Sequence, residues 1–238
     1  MYLIINTIIW KILLALTPSL LLLWFVYRKC GGKSVKFKTL ALAFGGVFLT
    51  VIPLGIIRVI LKVAGVYSTE NQTTFDILWE NFIKAAVLEE FLKFCTFYII
   101  LKSCYKQKGS GIVVIAAATG LGFAFMENLF HIQNDNWISI GIFRTFLSVP
   151  DHFSYGVIMG SLYFFAQYFK KAKVALCLSA LIIPIFVHWL GNAIVLTPEL
   201  DRYNMLLTLL WSIFMFICAW KLIKKTHRLD QMATSKSC

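Results

Sequence analysis

Seven largely apolar stretches, at residues 3–27, 40–61, 82–101, 112–130, 153–169, 174–196 and 203–223, constrain the fold more than any other feature of this chain. A helix needs about 20 apolar residues to cross the hydrocarbon of a bilayer. Inside lipid it must also satisfy its own backbone polar groups, which a helix does. The chain is therefore expected to be all-α, a polytopic transmembrane helix bundle. Pro18, Pro53 and Pro184 lie inside these stretches, where neighbouring helices can re-satisfy the freed backbone groups. The first stretch has no basic residue ahead of it and no A-x-A site behind it. It reads as a retained span and not as a cleaved signal peptide. Residues 138–150 form a further apolar piece, too short to cross alone, and Val149-Pro150-Asp151 breaks the chain after it. That piece is expected to be re-entrant or interfacial, which makes about seven to eight membrane helices.

Of the 238 residues, 59% are hydrophobic and 14% charged. Soluble domains carry about 25% charged residues because their surface must be wetted. The balance excludes a soluble globule, a disordered chain and a coiled coil, and it makes nucleic acid a poor explanation of the +12 net charge. Basic residues of such a protein belong in loops on one side of the membrane. Arg28, Lys29, Lys33, Lys36, Lys38, Lys102, Lys106, Lys108, Lys170, Lys171 and Lys173 all fall on one side, joined by Lys221, Lys224, Lys225, Arg228 and Lys236. Asp230 is the one acid among them, while Glu70, Asp76, Glu80, Asp135, Glu199 and Asp201 fall on the other side. This asymmetry predicts a multi-pass protein of the cell membrane with its N-terminus outside and its C-terminus in the cytoplasm. It allows one crossing, not two, between residues 138 and 169. The loops are too short for a soluble domain and no internal repeat is visible, so residues 1–238 read as a single integral membrane domain with the lipid bilayer as its partner. Cys30, Cys95, Cys104, Cys177, Cys218 and Cys238 form no C-x-x-C pair, which suggests neither a zinc ribbon nor a disulfide framework.

Ionisable residues within spans cost about 2.5–3.5 kcal/mol each on insertion scales, and they persist where they face a bundle interior or a wet cavity. Here they are Glu89, Glu90 and Lys93 in the third span, Glu127 in the fourth, His152 at the start of the fifth and His188 in the sixth. Lys11 and Arg58 also lie in apolar stretches, Arg58 close enough to a helix end to snorkel. The topology puts Glu89 roughly 10 Å below the outer end of its span. Glu127, His152 and His188 fall in the same outer half. Convergence of four helices at one depth is what a single buried site produces. Residues three or four apart share a helix face. Lys93 can therefore neutralise Glu89 or Glu90 and leave the other free, and His188 shares a face with Asn192. His152, Gly156 and Gly160 form a stripe that permits close helix approach, as does Ala116-Ala117-Ala118-Thr119-Gly120. Taken singly, each feature has a plainer reading: a structural ion pair, a glutamate reaching water, a hydrogen-bonded histidine, or helix packing.

Together the carboxylates, histidines and amide make a hydrolytic set. A glutamate in a low-dielectric site suits general-base work on a water that attacks a peptide carbonyl, with a histidine and Asn192 stabilising the oxyanion. Alternatively Glu127, His152 and His188 bind zinc with Glu89 as base. H-E-x-x-H and G-x-S-x-G are both absent. A proton-coupled transporter, in which buried Glu and His form a relay, and an inert membrane scaffold are the competing classes. Against the first, the polar groups stop in the outer half and no inverted repeat is visible.

These residues carry a resemblance. Glu89-Glu90-Phe91-Leu92-Lys93 resembles the E-E-x-x-K motif of PrsW-type intramembrane proteases. Phe123 to Glu127-Asn128 resembles that family's F-x-x-x-E-N helix. Arg144 and Val149-Pro150-Asp151-His152, with Gly156 and Gly160, are similar to its R…H-x-x-x-G segment, and His188-Trp189-Leu190-Gly191-Asn192 to its H-x-x-x-N. Each motif alone is weak, but four in order are specific. They span residues 82–196, taken as the catalytic core. The family is distantly related to the CAAX prenyl proteases and bacteriocin-processing enzymes. The resemblance implies an endopeptidase that cuts a single-span membrane protein near its extracytoplasmic face, as in site-1-type cleavage of an anti-sigma factor. It implies that Glu89 and Glu90 are the essential carboxylate pair and His188 the essential histidine. Glu127, His152 and Asn192 fill further motif positions, and Lys93 and Arg144 orient. The family is often labelled a metalloprotease, whereas its CAAX-protease relatives point to a metal-free glutamate mechanism. The latter is the reading preferred here, with no cofactor expected and zinc as the alternative.

Overall fold

The computed structural model describes residues 2–30, 35–66, 73–105, 109–133, 136–200 and 202–235. Lys33, Glu70, Lys106, Lys108, Asp135, Asp201, Lys236 and Cys238, which entered the charge and cysteine arguments, lie outside the described residues. All regular structure among the described residues is helical. The chain runs through α1 (Tyr2–Lys29), α2 (Phe37–Gly46), α3 (Val51–Val63), α4 (Thr74–Asn81), α5 (Leu88–Cys104) and α6 (Gly111–His131). It continues through α7 (Trp137–Phe146), α8 (Ser148–Tyr168), α9 (Lys173–Leu196) and α10 (Asn204–Ser235).

The second span is one helix with a tight middle, since the 3-10 turn Val47–Thr50 joins α2 to α3. Pro53 explains it: proline lacks an N–H and its ring crowds the carbonyl four residues back. The Thr50 hydroxyl donates to the carbonyl of Val47 at 2.6 Å. The third span begins earlier than expected. Thr73 and Asp76 form a capping box at the start of α4, and a π-helical turn, Phe82–Val87, carries α4 into α5. Glu80, counted among the acids of the outer side, is buried and paired with Lys84 one turn away.

Five helices are long and apolar enough to cross a membrane by length and composition: 6–29, 37–63, 111–131, 170–196 and 204–235. The other two expected spans are α5 and α8, the helices that carry Glu89, Glu90, Lys93, Asp151 and His152. Their polar load is what lowers their hydropathy. The expected re-entrant or interfacial piece is α7, ten residues long. Its break falls at Leu147, between α7 and α8, and not after Pro150. Pro150 instead sits in the first turn of α8, where its missing N–H needs no partner.

At the centre stands α6, 83% buried along its apolar window, against 11–28% for the other four. Those four expose rows of large apolar residues, such as Leu21 and Trp24 on α1, as lipid-facing helices do. The α6–α8 contact depends on glycine. A Cβ on Gly156 would lie 2.7 Å from the Ala116 carbonyl oxygen, and one on Gly120 2.5 Å from that of His152. Backbone-to-backbone approach of this kind is the small-residue packing of membrane helices. It draws His152 against α6, at the level where the polar residues gather.

Candidate active site

Glu89 and Glu90 follow directly on the π turn. Such turns are rare, add a residue to the helix and recur at functional sites. Arg58, from α3, uses the irregularity: its Nε donates to the Lys84 carbonyl at 3.0 Å and its Nη2 to Glu89 Oε1 at 2.8 Å. The sequence had Arg58 snorkelling to water. It turns inward because a buried carboxylate lies within reach, and an unpaired one would be costly. The signal was present, since Arg58 met the same criterion, charge within a span, that selected the other residues.

The second carboxylate is held from two helices. Lys93 Nζ donates to Glu90 Oε1 at 2.6 Å, and His188 Nδ1, from α9, meets the same oxygen at 2.8 Å. Lys93 also reaches His152 Nδ1, on α8, at 2.9 Å, and stands 4.1 Å over the Phe123 ring of α6. Glu127, near the end of α6, takes Arg144 Nη2 of α7 at 2.7 Å and His152 Nε2 at 2.8 Å on one oxygen, with His131 Nε2 3.4 Å from the other. Arg144 Nε donates to Asn128 Oδ1 at 2.6 Å. Tyr155 stacks on His188 with ring centroids 5.2 Å apart, and His152 meets His188 edge to face at 5.4 Å. Trp189 Nε1 donates to the Leu78 carbonyl at 3.0 Å and tethers α9 to α4 beside the cluster.

The structure thus brings Glu89, Glu90, Lys93, Glu127, Arg144, His152 and His188 into one connected network. Asn192 lies one turn beyond His188 and is half-buried. Its amide makes no hydrogen bond to the network among the described residues. Lys11 is remote from the network, donating to the Gln133 carbonyl at 3.2 Å. Sequence reasoning missed Arg58, His131 and Tyr155.

The partners assign the histidine tautomers. His188 gives its Nδ1–H to the Glu90 carboxylate, which leaves a lone pair on Nε2. His152 accepts the Lys93 ammonium at Nδ1 and so presents Nε2–H to Glu127. Glu90 Oε2 is buried without a hydrogen-bond partner among the described residues, and Glu89 is divided in the same way. Its Oε1 is held by Arg58, whereas its Oε2 is buried with no hydrogen-bond partner among the described residues. That oxygen lies 4.0 Å from both His188 Nε2 and Lys93 Nζ.

A family model described as PrsW family intramembrane metalloprotease matches residues 33–220. The curated Protease PrsW of Geobacillus kaustophilus is 27% identical over 215 residues, 89% of this chain and 88% of its own. That of Halalkalibacterium halodurans is 26% identical over 222 residues, covering 92% and 96%, and that of Shouchella clausii 28% over 222, covering 91% and 97%. No solved structure matches the chain.

The family's description implies a metal, for which Glu127, His152 and His188 are the donors offered by the sequence. Zinc needs open lone pairs at about 2.0–2.2 Å. Both ring nitrogens of His152 are engaged, by Lys93 and by Glu127. Glu127 is shared among Arg144, His152 and His131. Among the described residues no group of three or more His, Cys, Asp or Glu is arranged to hold a metal ion. In this arrangement the three do not fit zinc, because an ammonium and a guanidinium already supply the positive charge.

Proposed function

This chain belongs to the PrsW family of intramembrane proteases, and we propose that it hydrolyses a peptide bond of a single-span membrane protein with a water activated by Glu89. One observation carries the reading: Glu89 has one oxygen fixed by Arg58 and the other buried and unbonded, 4.0 Å from His188 Nε2. A water about 2.8 Å from each atom fits that separation. It gives one hydrogen to Glu89 Oε2 and the other to the Nε2 lone pair, and turns its own lone pairs outward.

The steps follow from this placement. The water oxygen forms a bond to the peptide carbon as Glu89 takes its proton, and the carbonyl electrons move onto the oxyanion. Asn192, one turn beyond His188 with its amide unengaged, is suited to donate to that oxyanion. The C–N bond then breaks, and Glu89 returns the proton to the leaving amine. Glu90 keeps His188 in the required tautomer, and Lys93 balances Glu90. Glu127, His152 and Arg144 form a supporting bridge between α6, α7 and α8.

The side of the membrane follows from charge. The cluster sits at the ends of α6 and α8 away from Lys102, Lys170, Lys171 and Lys173, and basic residues favour the cytoplasmic side. Cleavage near the extracytoplasmic face is the consequence, with the N-terminus outside and the C-terminus inside. An anti-sigma-factor-like protein is a substrate of the right kind.

Co-expression with a tagged single-span reporter tests the reading. Wild type is expected to shorten the reporter, while Glu89→Ala and His188→Ala leave it intact. Processing unchanged in both variants would end the proposal. Metal chelation of the purified enzyme is expected to leave its rate unchanged. Activity lost on chelation and regained with zinc would replace the glutamate mechanism by a metal one.

A further inference from the structure

At the end of the molecule away from the carboxylates, α5, α8 and α9 enclose a cavity of about 420 Å³. That is within the range of about 300–1,000 Å³ typical of small-ligand sites. Lys102 from the last turn of α5, Lys170 from the turn after α8 and Lys173 from the start of α9 converge on it. None of the three has a carboxylate partner among the described residues; Lys102 only lies over the Tyr98 ring, at 5.4 Å. Asp230 is the described acid at this end, and it is engaged elsewhere, by Ser110. Three ammonium groups around one cavity repel one another unless an anion joins them.

The rest of the lining speaks to what that anion is. Gln167 Oε1 is buried without a partner among the described residues, and Tyr163 makes ring contacts but no hydrogen bond there. Both are polar groups beside the lysines with capacity to spare. α9 starts with no side-chain cap and no acid in its first turn, so the positive end of its dipole adds to the lysine field. Below the lysines the lining turns apolar, through Ala166 and Cys177. On the same helix Val174, Leu178 and Ile182 recur every fourth residue with exposures of 73%, 57% and 58%. A charged cavity on a helix that also exposes an apolar row to the outside of the bundle matches a lipid with an anionic head. Basic pockets between membrane helices on the cytoplasmic side bind such head groups.

We propose that this cavity is a binding site for an anionic phospholipid, its phosphate among Lys102, Lys170 and Lys173 and an acyl chain along α9. The Tyr163 hydroxyl then donates to the phosphate, and Gln167 Oε1 accepts from a head-group hydroxyl such as those of phosphatidylglycerol. The site is distinct from the carboxylate cluster and stands whether or not the glutamate mechanism holds.

The test uses the full chain in phosphatidylcholine nanodiscs doped with phosphatidylglycerol, read by native mass spectrometry of retained lipid and by thermal unfolding. Wild type is expected to retain phosphatidylglycerol over phosphatidylcholine and to gain thermal stability from it. The K102Q/K170Q/K173Q variant should bind phosphatidylglycerol at least tenfold more weakly and lose that gain. The K36Q/K38Q/K221Q variant, which removes the same charge at the same end, should behave as wild type. Lys102→Gln alone, expected to weaken binding severalfold, serves if the triple variant does not fold. Equal losses in the two triple variants would overturn the site, as would equal retention of the two lipids. Inorganic phosphate that stabilises wild type as well as the lipid does, through the same lysines, would overturn the lipid assignment in favour of a soluble anion.

Discussion

The two ends of α6 solve opposite problems with the same kind of residue. At its N-terminal end one carboxylate, Asp230 of α10, receives the Ser110 backbone N–H at 2.9 Å. The Ser110 hydroxyl lies 2.7 Å from both Asp230 and the Cys30 carbonyl. At the C-terminal end Glu89, Glu90 and Glu127 meet Arg58, Lys93 and Arg144 with two histidines between them. There Glu89 Oε2 and Glu90 Oε2 are buried with no hydrogen-bond partner among the described residues. A buried polar atom left unsatisfied costs about 1–3 kcal/mol. The first end ties α1, α6 and α10 together. The second gives up stability to leave oxygens unbonded, and it is the end to which the proposed chemistry is assigned.

Substitutions should break this comparison unequally. The largest effect belongs to Glu89→Ala, which should slow reporter cleavage by about 10²–10⁴-fold, the usual contribution of a general base, while circular dichroism stays helical. A variant that still cleaves within tenfold of wild type would move the chemistry to another residue. Next is Lys93→Met. It leaves Glu90 buried without its ammonium, and breaking a buried pair costs about 3–5 kcal/mol. Chemical unfolding in detergent should show this as a lowered midpoint, and an unchanged midpoint would mean that Lys93 is not what balances Glu90. Gly156→Ala should follow, at about 1–3 kcal/mol from overpacking, because its Cβ would lie 2.7 Å from the Ala116 carbonyl oxygen. Smallest is Asp230→Asn, at about 1 kcal/mol for weakened hydrogen bonds and with reporter cleavage unaltered. If Asp230→Asn slowed cleavage as Glu89→Ala does, the division of labour between the ends would fail.

Much of this was legible in the chain. The bundle follows from span length, and the cluster from charges stranded at a common depth. Asn192 was found by its spacing from His188, yet spacing on one helix says nothing of which partners face it, and its amide stays apart from the network. Arg58 was misread because a long side chain near a helix end has two destinations, water or a buried acid, and the local sequence is the same for both. The break before α8 was placed after Pro150 on the rule that proline ends helices. Here proline begins one, and the difference lies in whether the missing N–H had anywhere to bond. The π turn had no sequence signature, because it depends on what α3 and α9 offer to the third span.

That turn has a consequence for how the chain tolerates change. One extra residue in a helix rotates everything before it by about 100° relative to everything after it. Phe82, which stacks on Trp79 and meets Trp189 edge to face, therefore keeps its seat on α9 only while the surplus residue between it and Glu89 is retained. Deleting one of Ile83, Ala85 or Ala86 would straighten the helix and swing that aromatic wedge off its support, without removing any charged group.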